Sequence, residues 1–158
     1  MELPKPGPEH QWLHRMIGTW HMEGESPGAP GEAPTKVSGT ERVRSLGGLW
    51  ILGEGEGEMP GGGTANNLMT IGFDPAQGVF LGSFVASMMT HLWSYRGTLA
   101  GDTLTLDTEG PDFGGGGMAA YQDIIALQGD DTRTLTSRMR MPDGTWQQVM
   151  SARYRRIG

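Results

Sequence analysis

Hydrophobic and polar residues follow two different patterns along the chain. In residues 8–17 (PEHQWLHRMI) four apolar residues recur at helical spacing, namely Trp12, Leu13, Met16 and Ile17. Pro8 suits the first turn of a helix, and Gly18 suits the position after its end. The pattern therefore predicts one short helix over residues 8–17, before the rest of the chain.

From residue 18 onward, short runs of alternating apolar and polar residues are separated by turn residues at intervals of roughly 8–12 residues. These runs predict strands near residues 19–26, 35–46, 49–59, 68–73, 79–89, 92–99, 103–108, 118–127, 133–141 and 146–155. Short turns such as Pro142-Asp143-Gly144 connect most of them, so consecutive strands should pair antiparallel. Three Gly- and Pro-rich segments predict loops at 26–34, 61–66 and 110–117.

A sheet of sequentially paired strands has two unpaired edges unless it closes on itself. Closure into a barrel removes both edges, and glycines inside the strands allow the necessary bending. The sequence therefore predicts an all-β fold: a closed, up-and-down antiparallel β-barrel of about ten strands with a short N-terminal helix. We expect one domain over residues 1–158, with the barrel spanning residues 18–158.

Composition and charge narrow the function classes. The net charge is −6 and no Lys/Arg run is present, which argues against nucleic-acid and membrane-surface partners. The chain has no cysteine, which excludes disulfides, thiol catalysis and zinc–thiolate sites. The N-terminal residues lack the basic and apolar regions of a signal peptide, and no apolar run approaches the length of a membrane span. We therefore expect a cytoplasmic protein.

The stretch Gly18-Thr19-Trp20, at the entry to the first predicted strand, resembles the opening motif of the calycin group of lipocalin-like barrels. In that group the Trp plugs one end of the barrel, and an Arg of the last strand packs across its ring. The resemblance implies that Trp20 is such a plug. It also implies that Tyr154-Arg155-Arg156 supplies the arginine, and we expect Arg155 to have that role.

A longer pattern is similar to DUF1579, a family of uncharacterised bacterial proteins, over most of the chain. It comprises His10…Leu13…Ile17-Gly18-x-Trp20, Gly47-Gly48-Leu49-Trp50, Ile71-Gly72-Phe73-Asp74 with Gly78-Val79-Phe80, Tyr95-Arg96-Gly97, Leu104-Thr105-Leu106 and Tyr154-x-Arg156. The resemblance implies a barrel like those of lipocalins and fatty-acid-binding proteins. It implies no particular activity, because the family has none established.

Cofactor and metal sites find little support. The haem-binding nitrobindins have a similar architecture and a haem-ligating His on the last strand, whereas the last predicted strand here has no His. Met150 is a poor substitute for an imidazole ligand. His10 and His14 have the i, i+4 spacing of a two-His metal face, but no motif supplies a third ligand. We therefore expect neither a cofactor nor a metal.

Aromatic and charged residues of the middle strands are candidates for lining a cavity. If Tyr95 and Tyr121 point inward, they provide aromatic walls with hydroxyl anchors for a planar or acyl ligand. Asp123 would then need a partner such as Arg138 or Arg140. Alternation alone does not decide which face is inward. The candidates are Trp50, Met89, His91, Trp93, Tyr95, Tyr121, Asp123, Met139 and Met150.

Three functions are compatible with these residues. The first, which we favour, is the binding of a small apolar or aromatic molecule inside the barrel. The second is a cofactorless lyase or isomerase that uses His91, Tyr95, Arg96 or Asp123 as acid–base groups. The third is a structural module with a filled barrel that associates through an apolar outer face, for example as a homodimer. The interior of the folded chain discriminates among them.

Overall fold

The computed structural model describes residues 1–27, 31–59 and 61–158. One helix and ten strands follow in order: α1 (Pro8–His14), β1 (Gly18–Ser26), β2 (Thr35–Leu46), β3 (Trp50–Glu58), β4 (Thr64–Asp74), β5 (Val79–Ala86), β6 (Trp93–Ala100), β7 (Thr103–Pro111), β8 (Met118–Gln128), β9 (Thr132–Arg140) and β10 (Trp146–Arg156). Consecutive strands pair antiparallel, and β1 also pairs with β10. The predicted closed, up-and-down barrel is therefore confirmed.

The helix is shorter than predicted. It ends at His14, and residues 15–17 continue in tight turns, in which the amide of Ile17 donates to the carbonyl of His14 at 3.1 Å. Gly18 then turns the chain into β1 with φ +138°, a conformation that L side chains rarely adopt. The prediction of a helix through residue 17 was wrong because Gly18 redirects the chain before another full turn can form.

Two strands are longer than the alternating pattern predicted. β4 begins at Thr64, inside the predicted loop 61–66, because Thr64 pairs with Glu58. β7 continues to Pro111, which pairs with Met118. Both extensions are rich in small or polar residues, so their sequences show little of the apolar–polar alternation that predicts a strand. Residues 28–30 of the predicted loop 26–34 lie outside the described residues.

The up-and-down order places alternate connections at opposite ends of the barrel. The end that carries α1 and the turn after β2 is called the closed end here, and the end that carries the connection after β5 is called the open end. Helix α1 packs against β3 and β4. Its residues Trp12 and Leu13 are buried in the same apolar cluster as Trp20. The helix therefore covers the closed end.

Trp20 forms the centre of the closed end. Its side chain is 1% exposed, and its Nε1 donates to the carbonyl of Met16 at 2.8 Å. The guanidinium carbons of Arg133 and Arg156 lie 4.7 and 4.4 Å from the Trp20 ring centroid, within the range of a cation–π contact. Arg156 also donates to the carbonyl of Ile17 at 2.6 Å. Trp20 and Arg156 thus connect residues 15–17, which follow the helix, to β1 and β10, the strands that close the barrel.

The structure corrects the choice of arginine. Arg155 is exposed and does not contact Trp20, so the prediction for Arg155 was wrong. In the β1–β10 ladder Trp20 lies opposite Arg156, whereas Arg155 lies opposite His21. Successive residues of a strand point to opposite faces, so Arg156 points inward and Arg155 outward. Arg133 of β9 is a second arginine at Trp20, and no motif had indicated it.

A buried ion pair crosses the barrel interior. The Nη2 of Arg133 donates to the Oε1 of Glu41, and these residues are only 1% and 7% exposed. The guanidinium carbon of Arg133 lies 3.9 Å from the Tyr154 ring centroid. Gly53 makes room for the pair, since a Cβ there would lie 3.0 Å from the Oε2 of Glu41. Each charge is compensated by the other, so removing one partner should strongly destabilise the fold.

We expect Glu41→Gln to lower the free energy of unfolding by about 3–5 kcal/mol, because it leaves the buried Arg133 without its counter-charge. Equilibrium unfolding in urea measures this loss. The matched control is Glu54→Gln on the outer face of β3, where the carboxylate lies 3.6 Å from the exposed Arg44. An exposed pair contributes little, so the control should stay close to the wild type. Equal losses in the two variants would contradict the role of the buried pair.

We expect Arg156→Ala to lower the melting temperature by about 5 °C or more, because it removes charge-assisted hydrogen bonds to the carbonyls of Ile17, Arg15 and Asp130. Arg155→Ala should change it little, since that side chain is exposed. Thermal unfolding followed by circular dichroism compares the two. A larger effect at Arg155 would mean that the inward face of β10 has been assigned incorrectly.

Candidate functional site

The half of the interior next to the closed end is filled by side chains. Six of its inward-facing apolar residues are at most 1% exposed, namely Ile51, Ile71, Phe80, Leu104, Leu106 and Ile125. They form one cluster with Trp20 and the helix residues. Such packing leaves no room for a ligand next to the closed end.

The half next to the open end, called the open half here, is different. Several side chains there occupy inward-facing positions and yet stay partly exposed, namely Met22, Val37, Asn67, Phe84, Asp123, Leu135, Ser137 and Met150. Their orientation follows from the strand pairings: Leu135 lies opposite the buried Ala152, and Met150 lies opposite Ser137. Solvent therefore reaches part of the surface of these side chains.

Glycines form part of the wall of the open half. Gly39 and Gly57 lie opposite each other in the β2–β3 ladder, and both occupy inward-facing positions. A Cβ on Gly39 would lie 2.3 Å from the carbonyl oxygen of Glu56, and one on Gly57 would lie 2.8 Å from that of Ser38. These positions require glycine because the two backbones approach closely. The wall here consequently presents backbone rather than side chains to the interior.

A carboxyl group is the most distinctive feature of the open half. Asp123 of β8 accepts hydrogen bonds from the Tyr95 hydroxyl and, at 2.5 Å, from the Ser137 hydroxyl. Burial raises the pKa of the Asp123 carboxyl above its ordinary value, and the hydrogen bonds from Ser137 and Tyr95 oppose that rise. Burial and the neighbouring Asp123 raise the pKa of Tyr95 well above its ordinary value. Tyr95 therefore remains a neutral donor at physiological pH.

The arginines expected to pair with this carboxyl lie elsewhere. Arg138 and Arg140 were predicted as its partners, and both predictions were wrong. Arg138 lies on the outer face, where its Nε donates to the Oε1 of Gln122 at 2.8 Å and its guanidinium carbon lies 4.9 Å from the Trp146 ring centroid. Arg140 is exposed. Among the described residues, no Lys, Arg or His side chain forms an ion pair with Asp123.

An aromatic cluster closes one side of the open end. Trp93, Tyr121 and Met139 are buried together. The rings of Trp93 and Tyr121 pack edge to face, with their centroids 5.1 Å apart. Gly110 permits this packing, since a Cβ there would lie 2.0 Å from the Trp93 ring. The Nε1 of Trp93 and the Oγ1 of Thr108 are buried without a hydrogen-bond partner in the part of the chain that the structure describes. Buried polar atoms of this kind are usually satisfied by water or by a ligand.

The remaining candidates lie apart from this interior. The prediction that Trp50 lines the cavity was wrong. Its side chain is 40% exposed on the outer face and packs over Gly72, because the next residue, Ile51, points inward. Met89 lies in the connection after β5 and is 36% exposed, which places it at the rim. His91 lies in the same connection, with its Nε2 2.9 Å from the carbonyl oxygen of Glu109.

The acid–base residues of the enzyme hypothesis do not converge on one site. Arg96 points outward and donates to the Oε1 of Gln77 at 3.0 Å, while His91 lies at the rim. Only Tyr95 and Asp123 meet. Ser137, which is not among the predicted candidates, joins them from β9. A signal for Ser137 was present, because it shares its strand face with the cavity candidate Met139, two residues further on.

Two further pockets are lined mainly by outward-facing residues. One, of about 770 Å³, is lined largely by outward-facing residues of β1, β2, β9 and β10, such as Glu23, Lys36 and Arg153, and it also reaches Val37 and Leu135 of the open half. The other, of about 590 Å³, is lined by His91 and Trp146 at the open end and also by the buried Thr108 and Tyr121. Within residues 1–27, 31–59 and 61–158 no cluster of three or more His, Asp or Glu side chains could hold a metal ion. No helix of these residues is both long enough and apolar enough to span a membrane.

The raised pKa of Asp123 predicts a pH dependence of stability. A carboxyl whose pKa is higher in the folded state favours folding most at low pH, and this contribution is lost as the pH rises through the folded-state value. We therefore expect Asp123→Asn to gain stability relative to the wild type between about pH 4 and neutral pH, by about 1.4 kcal/mol for each unit of pKa shift. Urea unfolding at a series of pH values measures the difference. A difference that is constant with pH would contradict a raised pKa.

Comparisons with solved structures agree with the barrel fold. The crystal structure of Rv2717c from M. tuberculosis matches with a TM-score of 0.64 and 14% identity over 98% of this chain and 100% of that chain. A structure of EF1p2_mFAP2b bound to DFHBI matches with a TM-score of 0.52 and 11% identity over 94% and 98% of the two chains. A de novo designed fluorescence-activating β-barrel matches with a TM-score of 0.50 and 14% identity over 91% and 95%. These low identities show a shared fold alone.

Sequence comparison gives the family. No curated protein sequence matches the chain significantly. The family model of DUF1579, described as a protein of unknown function, matches residues 5–156, which is nearly the whole chain. This match confirms the resemblance seen in the motifs from His10 to Arg156. The chain belongs to the DUF1579 family.

Proposed function

We propose that the barrel binds a small apolar or aromatic molecule in its open half. The observation that carries this proposal is the partial exposure of side chains that point into the barrel, such as Leu135 and Met150. In a filled barrel these side chains would be as buried as Leu104 and Leu106, which are not exposed at all. The open half therefore offers concave, partly apolar surface that a ligand can cover.

The chemistry of the open half supports the same proposal. Met22, Phe84, Leu135 and Met150 supply apolar surface, and flexible methionine side chains adapt to ligands of different shape. Asp123, with the hydroxyls of Tyr95 and Ser137, supplies a small polar group that can orient a ligand. Apolar walls with a few convergent polar groups are typical of small-molecule sites.

The structural neighbours are consistent with this use of the fold. One is a designed barrel described as fluorescence-activating, and another, EF1p2_mFAP2b, is solved with DFHBI bound. A barrel of this fold can therefore accommodate a small molecule. The identities of 14% and 11% carry no information about which ligand this chain would bind, so the ligand class has to come from its own residues.

Titration with N-phenyl-1-naphthylamine tests the proposal. This neutral dye fluoresces more strongly in apolar surroundings, so we expect a saturable rise in emission with the wild type. Leu135→Trp should weaken binding by about tenfold or more, because the larger ring fills the open half. Circular dichroism and thermal unfolding verify that the variant is folded.

Thr136→Trp is the matched control. It introduces the same Trp side chain at the next residue of β9, on the outer face, and should leave the affinity for the dye unchanged. The proposal fails if the wild type shows no saturable rise. It also fails if the folded Leu135→Trp and Thr136→Trp variants bind the dye equally well.

A further inference from the structure

The charged side chains that face the interior are unequally compensated. In the described strands they are Glu41, Asp123, Arg133 and Arg156. Glu41 and Arg133 form the buried ion pair, and Arg156 donates to carbonyl oxygens at the closed end. Asp123 receives only the two neutral hydroxyls of Tyr95 and Ser137. When its carboxyl is ionised, the open half therefore contains one negative charge without a counter-charge from the described residues.

We propose that the ligand of the open half carries a protonated amine, and that the amine pairs with Asp123. This inference rests on the proposed function and names the chemical class of its ligand. Two hydroxyl bonds occupy only part of the acceptor capacity of a carboxylate, so Asp123 can accept further N–H donors. A cationic donor gives the strongest such bond, and the partial burial of Asp123 limits competition from water.

A second, independent observation points to a ligand with N–H donors. The Thr108 hydroxyl is buried, with the residue 8% exposed, and it has no hydrogen-bond partner among residues 1–27, 31–59 and 61–158. Thr108 lies opposite Tyr121 in the β7–β8 ladder, diagonally across from Asp123, and faces the same interior. Its oxygen can accept a hydrogen bond from an ammonium group. The buried Trp93 Nε1 can only donate, so it contributes nothing to the recognition of a cation.

The aromatic rings beside the carboxyl favour the same ligand class. Tyr95 contacts Asp123 directly, and Tyr121 lies two residues from Asp123 on the same face of β8. The faces of aromatic rings attract cations, whereas they offer nothing comparable to an anion. An anionic ligand would also be repelled by Asp123. A molecule with an apolar or aromatic body and one basic nitrogen therefore complements the open half in shape and in charge.

Three ligands that share a naphthalene body test the charge preference in the full-length chain. They are naphthalen-2-ylmethylamine, which is protonated at neutral pH, naphthalen-2-ylmethanol, which is neutral, and naphthalene-2-carboxylic acid, which is anionic. We expect isothermal titration calorimetry at about pH 7.5 to give an affinity for the amine about tenfold or more above that for the alcohol, with the acid weakest. Equal affinities, or a preference for the acid, would overturn the amine assignment.

Variants of two aspartates test whether the preference for the amine arises at Asp123. Asp123→Asn should reduce the affinity for the amine to about that for the alcohol and leave alcohol binding nearly unchanged. Asp107→Asn, on the outer face of β7, removes a carboxylate that is bonded to Gln122 and should leave all three affinities unchanged. A preference for the amine that survives in a folded Asp123→Asn variant would also overturn the proposal. If that variant does not fold, the ranking of the three ligands in the wild type decides.

The outcomes separate this inference from the proposed function. Binding of the neutral alcohol without a preference for the amine overturns the inference and leaves the proposed function intact. Failure of all three ligands to bind, together with failure of N-phenyl-1-naphthylamine, overturns both. Binding of the amine at a site that Leu135→Trp does not affect would place it outside the open half and would equally overturn the inference.

Discussion

The closure of the sheet between β1 and β10 is the constraint on which the rest of the structure depends. It sets Trp20 opposite Arg156, and this single register decides which residues of both strands point inward. The pairing of each remaining strand with its neighbours then fixes which of its residues point inward. Because Arg156 also binds carbonyl oxygens before β1, the closure and the cover over the closed end are stabilised by the same side chain.

The interior contains two carboxylates with contrasting surroundings. Glu41 is fully compensated by Arg133, and its burial is tolerated because each charge satisfies the other. Asp123 sits where solvent still enters and has only hydroxyl donors. A buried charge without a counter-charge costs folding free energy. Its presence at the accessible half of the barrel is therefore understandable if it interacts with something from outside.

The site was predictable only in part. Tyr95, Asp123 and Met150 were identified because aromatic, acidic and thioether side chains stand out within strand-like runs. Trp50 and Arg155 were assigned to the interior, although each is one residue away from the side chain that points there, Ile51 and Arg156. An error of one residue inverts the face of a strand, and the pattern of a single strand does not exclude it. Only the pairing with neighbouring strands removes this ambiguity.

The sequence by itself determined the architecture. Turn residues and period-two alternation are local signals, and they were sufficient for ten antiparallel strands and a closed barrel. The family DUF1579 came from the resemblance of longer motifs. The tertiary structure decided which side chains meet. Arg133 reaches Glu41 and Trp20 across the interior, and Tyr95 reaches Asp123 across an intervening strand. These contacts depend on the curvature and register of the whole barrel, which no short stretch of sequence contains.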